Sequence, residues 1–227
     1  MTAHIDRQYE EELSDLRRRI LEMGGLVERQ IADAVKALVG KDAALAEATI
    51  RKDHAVNRLD VEIDELCIRL LALRQPAASD LRVITTALKI TTDLERIGDR
   101  AASIAERALE LLGEPQLKPY VDIPRMAEIA SEMLRGSLDA FVRNDVELAL
   151  EVCRKDDAVD KLNDQIFREL LSFMIEQPAT ITRAMRVLFV SKYLERIADH
   201  ATNIAEMVIF MVKGKSIRHI DELPTSV

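Results

Sequence analysis

The chain is expected to be all-α, a tandem repeat of two antiparallel three-helix bundles, and three observations carry that expectation. A thirteen-residue stretch occurs twice: Leu94–Glu106 reads LERIGDRAASIAE and Leu194–Glu206 reads LERIADHATNIAE, with nine positions identical and no gap. Apolar residues recur every three or four positions through long segments, the period of one helix face rather than the two-residue alternation of a strand. Composition agrees, since the 227 residues include only seven Gly, six Pro and no Trp, which favours long helices.

The first helix is expected from about Tyr9, through Leu13, Leu16, Ile20, Met23, Val27, Ile31, Ala34, Val35 and Leu38, to a break at Gly40–Asp42. A second follows from Leu45 to Leu73 and ends at Gln75-Pro76, because proline cannot continue a helix and pushes the preceding residue out of the α region. A third starts at Ser79 or the preceding turn and runs to Leu112. The plan then recurs, with helices over Met126–Val142 and Val146–Ile175, a stop at Gln177-Pro178, and a last helix ending at Gly214. Met23/Met126, Asp42/Asp145 and Asp53/Asp156 pair at an offset of 103, Gln75/Gln177 at 102 and Leu94/Leu194 at 100, so length changes fall at turns, as in a true internal repeat. The expected units are a first bundle over 1–113, a linker over 114–124 holding three Pro, a second bundle over 125–214, and a polar tail over 215–227.

Net charge is −8 with both signs interspersed, which sets up no field for nucleic acid. Cys67 and Cys153 lack CxxC spacing, pointing to a reducing cytosol. A polar, charged N-terminus predicts no secretory leader, and no run approaches the ~18 apolar residues of a membrane span. A soluble cytoplasmic protein is expected.

The chemistry lies in the acids. Glu95/Asp99 and Glu195/Asp199 are four apart and share a helix face. Counting equal distances from the connecting turns sets Asp156 and Asp160 level with Glu195 and Asp199, and Asp53, Asn57 and Asp60 level with Glu95 and Asp99. Clustered, partly buried carboxylates repel one another and must be neutralised by protons, by Arg96 and Arg196, or by bound cations. Oxygen donors of this kind suit magnesium, calcium, manganese or iron better than a structural zinc site. The expected metal ligands are therefore Asp53, Asn57, Asp60, Glu95 and Asp99 in the first half, and Asp156, Asp160, Glu195 and Asp199 in the second. Met23-Gly24-Gly25 lies near this level and would leave room. His54 and His200 each follow an acid and point about 100° away from it, so neither is expected as a ligand, and Glu28 and Glu132 do not align between halves. With four carboxylates against three plus an amide, the second site is expected to bind metal more tightly.

Enzyme signatures are missing. No His stands three residues after a Glu, as a di-iron oxidase would need, and Gly214-Lys215-Ser216 lacks the leading Gly and strand of a P-loop. No catalytic residue is expected.

The two three-helix repeats, QPAASDLR after the second helix, and LERIGDRA/LERIADHATNIAE in the third and sixth closely resemble the PhoU family over Tyr9 to Lys213. The resemblance implies a cytosolic, non-enzymatic regulator that represses the phosphate regulon. It would link the ATPase subunit of a phosphate ABC transporter to a sensor histidine kinase at the cytoplasmic membrane face, and act as a homo-oligomer, a dimer. It also implies multinuclear iron or zinc on paired E(D)xxxD motifs, here Asp53/Asn57 with Glu95/Asp99 and Asp156/Asp160 with Glu195/Asp199. Asn57 departs from the acid form, and Arg100 stands where the other copy has His200. From the acids alone, a metal-storage or metal-sensing bundle is the alternative, and a general factor in phosphate metabolism is a third reading.

Overall fold

The structure, a computed structural model, describes residues 2–215, with side chains from residue 8 onward. Six long helices make up the described residues: α1 Thr2–Gly40, α2 Ala43–Arg74, α3 Ala78–Leu111, α4 Asp122–Arg143, α5 Val146–Glu176 and α6 Ile181–Lys213, with a short 3-10 turn Pro178–Thr180 before α6. No strand occurs among them. The starts of α1 and α4 lie earlier than periodicity predicts; α4 takes in Pro124, which is tolerated because the first turn of a helix has no intrahelical N–H bond to lose. Residues 216–227 of the expected tail, with Ser216, lie outside the described residues.

The joints of the two halves repeat the same local chemistry. Asp42 and Asp145 both cap the helix that follows, each side chain accepting from a backbone N–H three residues on, Leu45 at 2.9 Å and Leu148 at 3.0 Å, which satisfies an otherwise orphaned donor. Gln75 and Asn144 adopt left-handed backbone after α2 and α4, and Gly214 does so after α6, the usual way a helix is stopped.

Within each half the three helices pack on one another, and the halves then join through α3 against α6 and α1 against α4. Arg82 donates to the Met211 carbonyl at 3.0 Å and Arg186 pairs with Glu110 at 3.1 Å. These bonds near opposite ends of α3 show that it runs antiparallel to α6. The consequence is one continuous core rather than two: buried residues from Leu13 to Met211 form a single apolar cluster drawn from all six helices. Gly24 serves this joint and not the acid site, correcting the sequence expectation. A Cβ there would fall 2.2 Å from Leu138 Cδ1 of α4, so the missing side chain lets α1 and α4 close. The segment between α3 and α4 is pinned by Arg183 and Arg186, both of which hold Glu114.

Candidate metal centre

The helical hairpins α2–α3 and α5–α6 carry one acidic cluster each. Because α3 and α6 are antiparallel with residues 93 and 200 in contact (His200 Nδ1 to Asp93 Oδ1, 2.7 Å), both clusters lie at the same level, near the middle of the helices. Residues 91–100 and 191–200 show the same order of buried, half-buried and exposed positions. The repeated sequence thus produces a repeated surface.

In the first cluster Asp53, Asp60, Glu95 and Asp99 are close enough to affect one another. Burial raises the Glu95 pKa, and the charges of Asp99, Asp60 and Asp53 add to the effect against the pull of Arg96. Burial also raises Asp53, opposed by the donation from Asn57 Nδ2 to its Oδ2 at 2.9 Å and reinforced by Asp99. Asp60 is raised by burial and then by Asp64. In the second cluster Asp156 is pushed up to about 7, by burial first and then by Asp160, Asp199, Asp157 and Glu195. Asp160 is raised by burial and then by Glu195 and Asp199. The nine expected residues are therefore gathered into two groups, as the turn-counting argument requires. They line half-buried grooves rather than the core, and Asn57 and Asp160 are exposed.

Basic partners sit at the rim. Arg96 reaches Glu95 at 3.5 Å and Asp99 at 3.4 Å, Arg196 reaches Asp199 at 3.0 Å, and Lys192 reaches Glu195 at 2.8 Å. All three bases are half or more exposed, so water screens most of the attraction. Among the described residues no three carboxylate, imidazole or thiol donors converge on one point; Glu95, Asp99, Glu195 and Asp199 pair with these bases. The donor set nonetheless fits a hard or borderline cation. It consists of oxygens, and its Asp53, Asp60, Glu95, Asp156 and Asp160 carboxyls hold their protons more tightly than usual through desolvation and neighbouring charge. It also includes a buried Asp53 Oδ1 with no hydrogen-bond partner, an orphaned acceptor of the kind a cation or a donor must satisfy.

Two participants were missed from sequence. Asn163 is buried, donates to Glu195 Oε1 at 3.2 Å and accepts from Ser191 at 3.1 Å. The repeat register pairs it with Asp60 (60 and 163 differ by 103), a signal that was available. Each cluster accordingly has four carboxylates and one amide, with the amide one turn apart in the two halves, and ligand count no longer ranks the sites. Gln30 of α1 is the second; its polar side chain lies inside an apolar stripe. His54 is exposed, His200 is taken by Asp93, Glu28 pairs with Arg135 and Glu132 with Lys155. Cys67 is fully buried, and burial pushes its thiol up to about 12.

A family model for the PhoU domain matches the chain twice, over residues 20–108 and 123–208. The chain belongs to the PhoU family. Its relatives include the phosphate-specific transport system accessory protein PhoU homolog of Pseudomonas aeruginosa, 45% identical over 97% of this chain and 91% of that protein. The Escherichia coli phosphate-specific transport system accessory protein PhoU is 39% identical over 98% of this chain and 93% of its own length. Among solved structures, PhoU from P. aeruginosa superposes with a TM-score of 0.87 at 44% identity, covering 91% of this chain and all of that one. The phosphate transport system regulatory protein PhoU from Streptococcus pneumoniae gives 0.87 at 33% identity, covering 92% and 99%. The first PhoU match lies within the first half, and the second begins at residue 123, where α4 has just started, and stops within α6. No helix among the described residues is long and apolar enough to cross a membrane.

Proposed function

We propose that this PhoU-family protein is a non-enzymatic negative regulator of phosphate uptake and phosphate-starvation signalling. It acts in the cytoplasm, linking the ATPase subunit of a phosphate ABC transporter to a sensor histidine kinase at the membrane face. The observation that carries this reading is close similarity, over nearly the whole chain, to proteins named accessory proteins of the phosphate-specific transport system. A net charge of −8 favours protein partners over nucleic acid or anionic lipid. Self-association into a dimer is supported by Phe167, Leu171, Ile175, Ile181, Met185 and Phe189, which stay exposed on the α5–α6 hairpin, since clustered exposed apolar side chains mark interaction surfaces.

The same reading assigns divalent or transition cations (iron, zinc, manganese or magnesium) to the two clusters. Asp53, Asp60, Glu95 and Asp99, with Asn57, would hold one set, and Asp156, Asp160, Glu195 and Asp199 the other. A bound cation supplies the positive charge that relieves the repulsion and ties α2 to α3 or α5 to α6.

The test is a deletion strain grown in phosphate-rich medium. Alkaline phosphatase activity and phosphate accumulation should both rise, and the protein should co-purify with the transporter ATPase. Unchanged phosphatase and phosphate levels, with metal bound to the purified protein, would replace regulation with metal storage or sensing.

A further inference from the structure

Among the described side chains of α1, Gln30 is the one polar residue that is buried. It stands between Val27 and Ile31 in the core-facing stripe and is 1% exposed, yet both its amide oxygen and its amide nitrogen lack a hydrogen-bond partner. Asp53 Oδ1, on α2, is buried and unpartnered in the same way. The two meet beside Gly98 of α3, where an added Cβ would lie 3.4 Å from Gln30 Oε1 and 3.4 Å from Asp53 Oδ1. Polar atoms from α1 and α2 therefore meet on the inner side of the first cluster, near enough for the Gln30 side chain to oppose the rise in the Asp53 pKa, yet none of them has a hydrogen-bond partner. On its outer side, Asp53 Oδ2 accepts a hydrogen bond from Asn57 Nδ2 at 2.9 Å.

A turn of the Gln30 amide about its terminal torsion, which exchanges oxygen and nitrogen without changing volume, offers an N–H donor toward the orphaned carboxylate oxygen. The second half has no such arrangement. Repeat register sets Met133 against Gln30 and Ala198 against Gly98, and both are fully buried and apolar.

We propose that Gln30 is a positioning residue for the first cluster's cation site: its amide N–H donates to Asp53 Oδ1 and holds the carboxylate with Oδ2 toward the groove, so that α1 takes part in cation binding in the first half alone. The inference rests on the assignment of cations to the clusters. A carboxylate already oriented by a neighbouring donor loses less freedom when it ligates, which is how supporting hydrogen bonds raise metal affinity.

Mn²⁺ binding to the full-length protein, followed by electron paramagnetic resonance, tests it. The first cluster is read with the second silenced by Asp156→Asn and Asp199→Asn, and the second with Asp53→Asn and Asp99→Asn. Gln30→Met, which installs the second half's residue at similar volume, should weaken first-cluster binding tenfold or more and leave the second cluster unchanged. The metal-free melting temperature should fall by a few degrees at most, as the loss of one buried hydrogen bond requires. Gln30→Asn keeps the amide but draws it back one methylene and should show the same loss, which covers the case of a poorly folding Met variant. Gln30→Glu should also weaken the first cluster, because a second acceptor cannot donate to Asp53. Equal weakening of both clusters, first-cluster affinity within twofold of wild type in Gln30→Met, or tighter binding in Gln30→Glu would each overturn the positioning role. Absence of Mn²⁺ binding at both clusters of the unmodified protein would overturn the cation assignment and this inference together.

Discussion

At the scale of residues, the clearest consequence of the fold is the cost of ionising Asp156. Its ordinary value is 3.8, and in the folded protein burial and four neighbouring carboxylates push it up to about 7. Between those values the folded chain holds a proton that the unfolded chain has released. The contribution of Asp156 to stability is therefore full below 3.8, falls as pH rises through the interval, and is lost above about 7. Asp156→Asn removes the ionisation, so the metal-free variant should lose less stability between pH 4.5 and pH 8 and melt higher than wild type at pH 8. Thermal melts in chelator at both pH values check this; equal slopes for the two proteins would show that Asp156 is not the group under strain. Wild type with added Mn²⁺ at pH 8 should recover the lost stability, provided the cluster takes the cation. A second residue-scale contrast lies between the clusters, where repeat-equivalent positions have diverged. His200 pairs with Asp93, while Arg100 lies with its guanidinium carbon 6.0 Å from the Tyr193 ring centre. The two halves are joined there by a histidine–carboxylate hydrogen bond on one side of their pseudo-symmetry axis and by a cation–π contact on the other.

Helix contacts belong to the next scale, and two glycines in helix interiors explain them. Gly24 and Gly136 cost helix propensity, yet a Cβ at Gly136 would lie 2.9 Å from Val152 and one at Gly24 only 2.2 Å from Leu138. Close approach of α1 to α4 and of α4 to α5 depends on them. Gly24→Ala should be destabilising by about 1–3 kcal/mol through overpacking, more than the roughly 1 kcal/mol that alanine returns to the helix. In a Leu138→Ala background the clash is gone and the same change should turn neutral or stabilising. A double-mutant cycle in denaturant reads that coupling directly, and additive effects would contradict the contact. The caps offer an independent check. Asp42→Ala and Asp145→Ala each leave a helix N-terminus without its side-chain acceptor, and each should cost about 0.5–2 kcal/mol.

Taken as a whole molecule, the six helices share one core. The repeats are units of sequence, but α3 and α6 bury their apolar faces partly against each other and α1 and α4 do likewise. The full chain should therefore unfold in one cooperative transition, with calorimetric and van't Hoff enthalpies in agreement. A fragment of residues 1–113 should fail to fold as a stable monomer and should self-associate through the exposed faces of α1 and α3. Two resolved transitions, or a monomeric folded fragment, would show that each bundle stands alone.

Helix positions, the internal repeat and the membership of both acidic clusters were legible in the sequence, because each depends on short-range regularities. A 3.6-residue period sets a helix, proline and glycine stop it, and equal counts from a tight turn place Asp156 level with Asp199. Asn163 was also within reach through its repeat partner Asp60. The rest is a matter of what lies across a helix interface, which spacing along one helix does not encode. Gly24 looked like room beside the acids and proved to be room for Leu138. Gln30 carries no signal in the helical period of α1, and only the approach of α2 and α3 sets it beside Asp53. The merging of two bundles into one core was likewise a tertiary result, since each half's apolar faces are wide enough to serve either its own bundle or its neighbour, and the antiparallel packing of α3 on α6 decided between them.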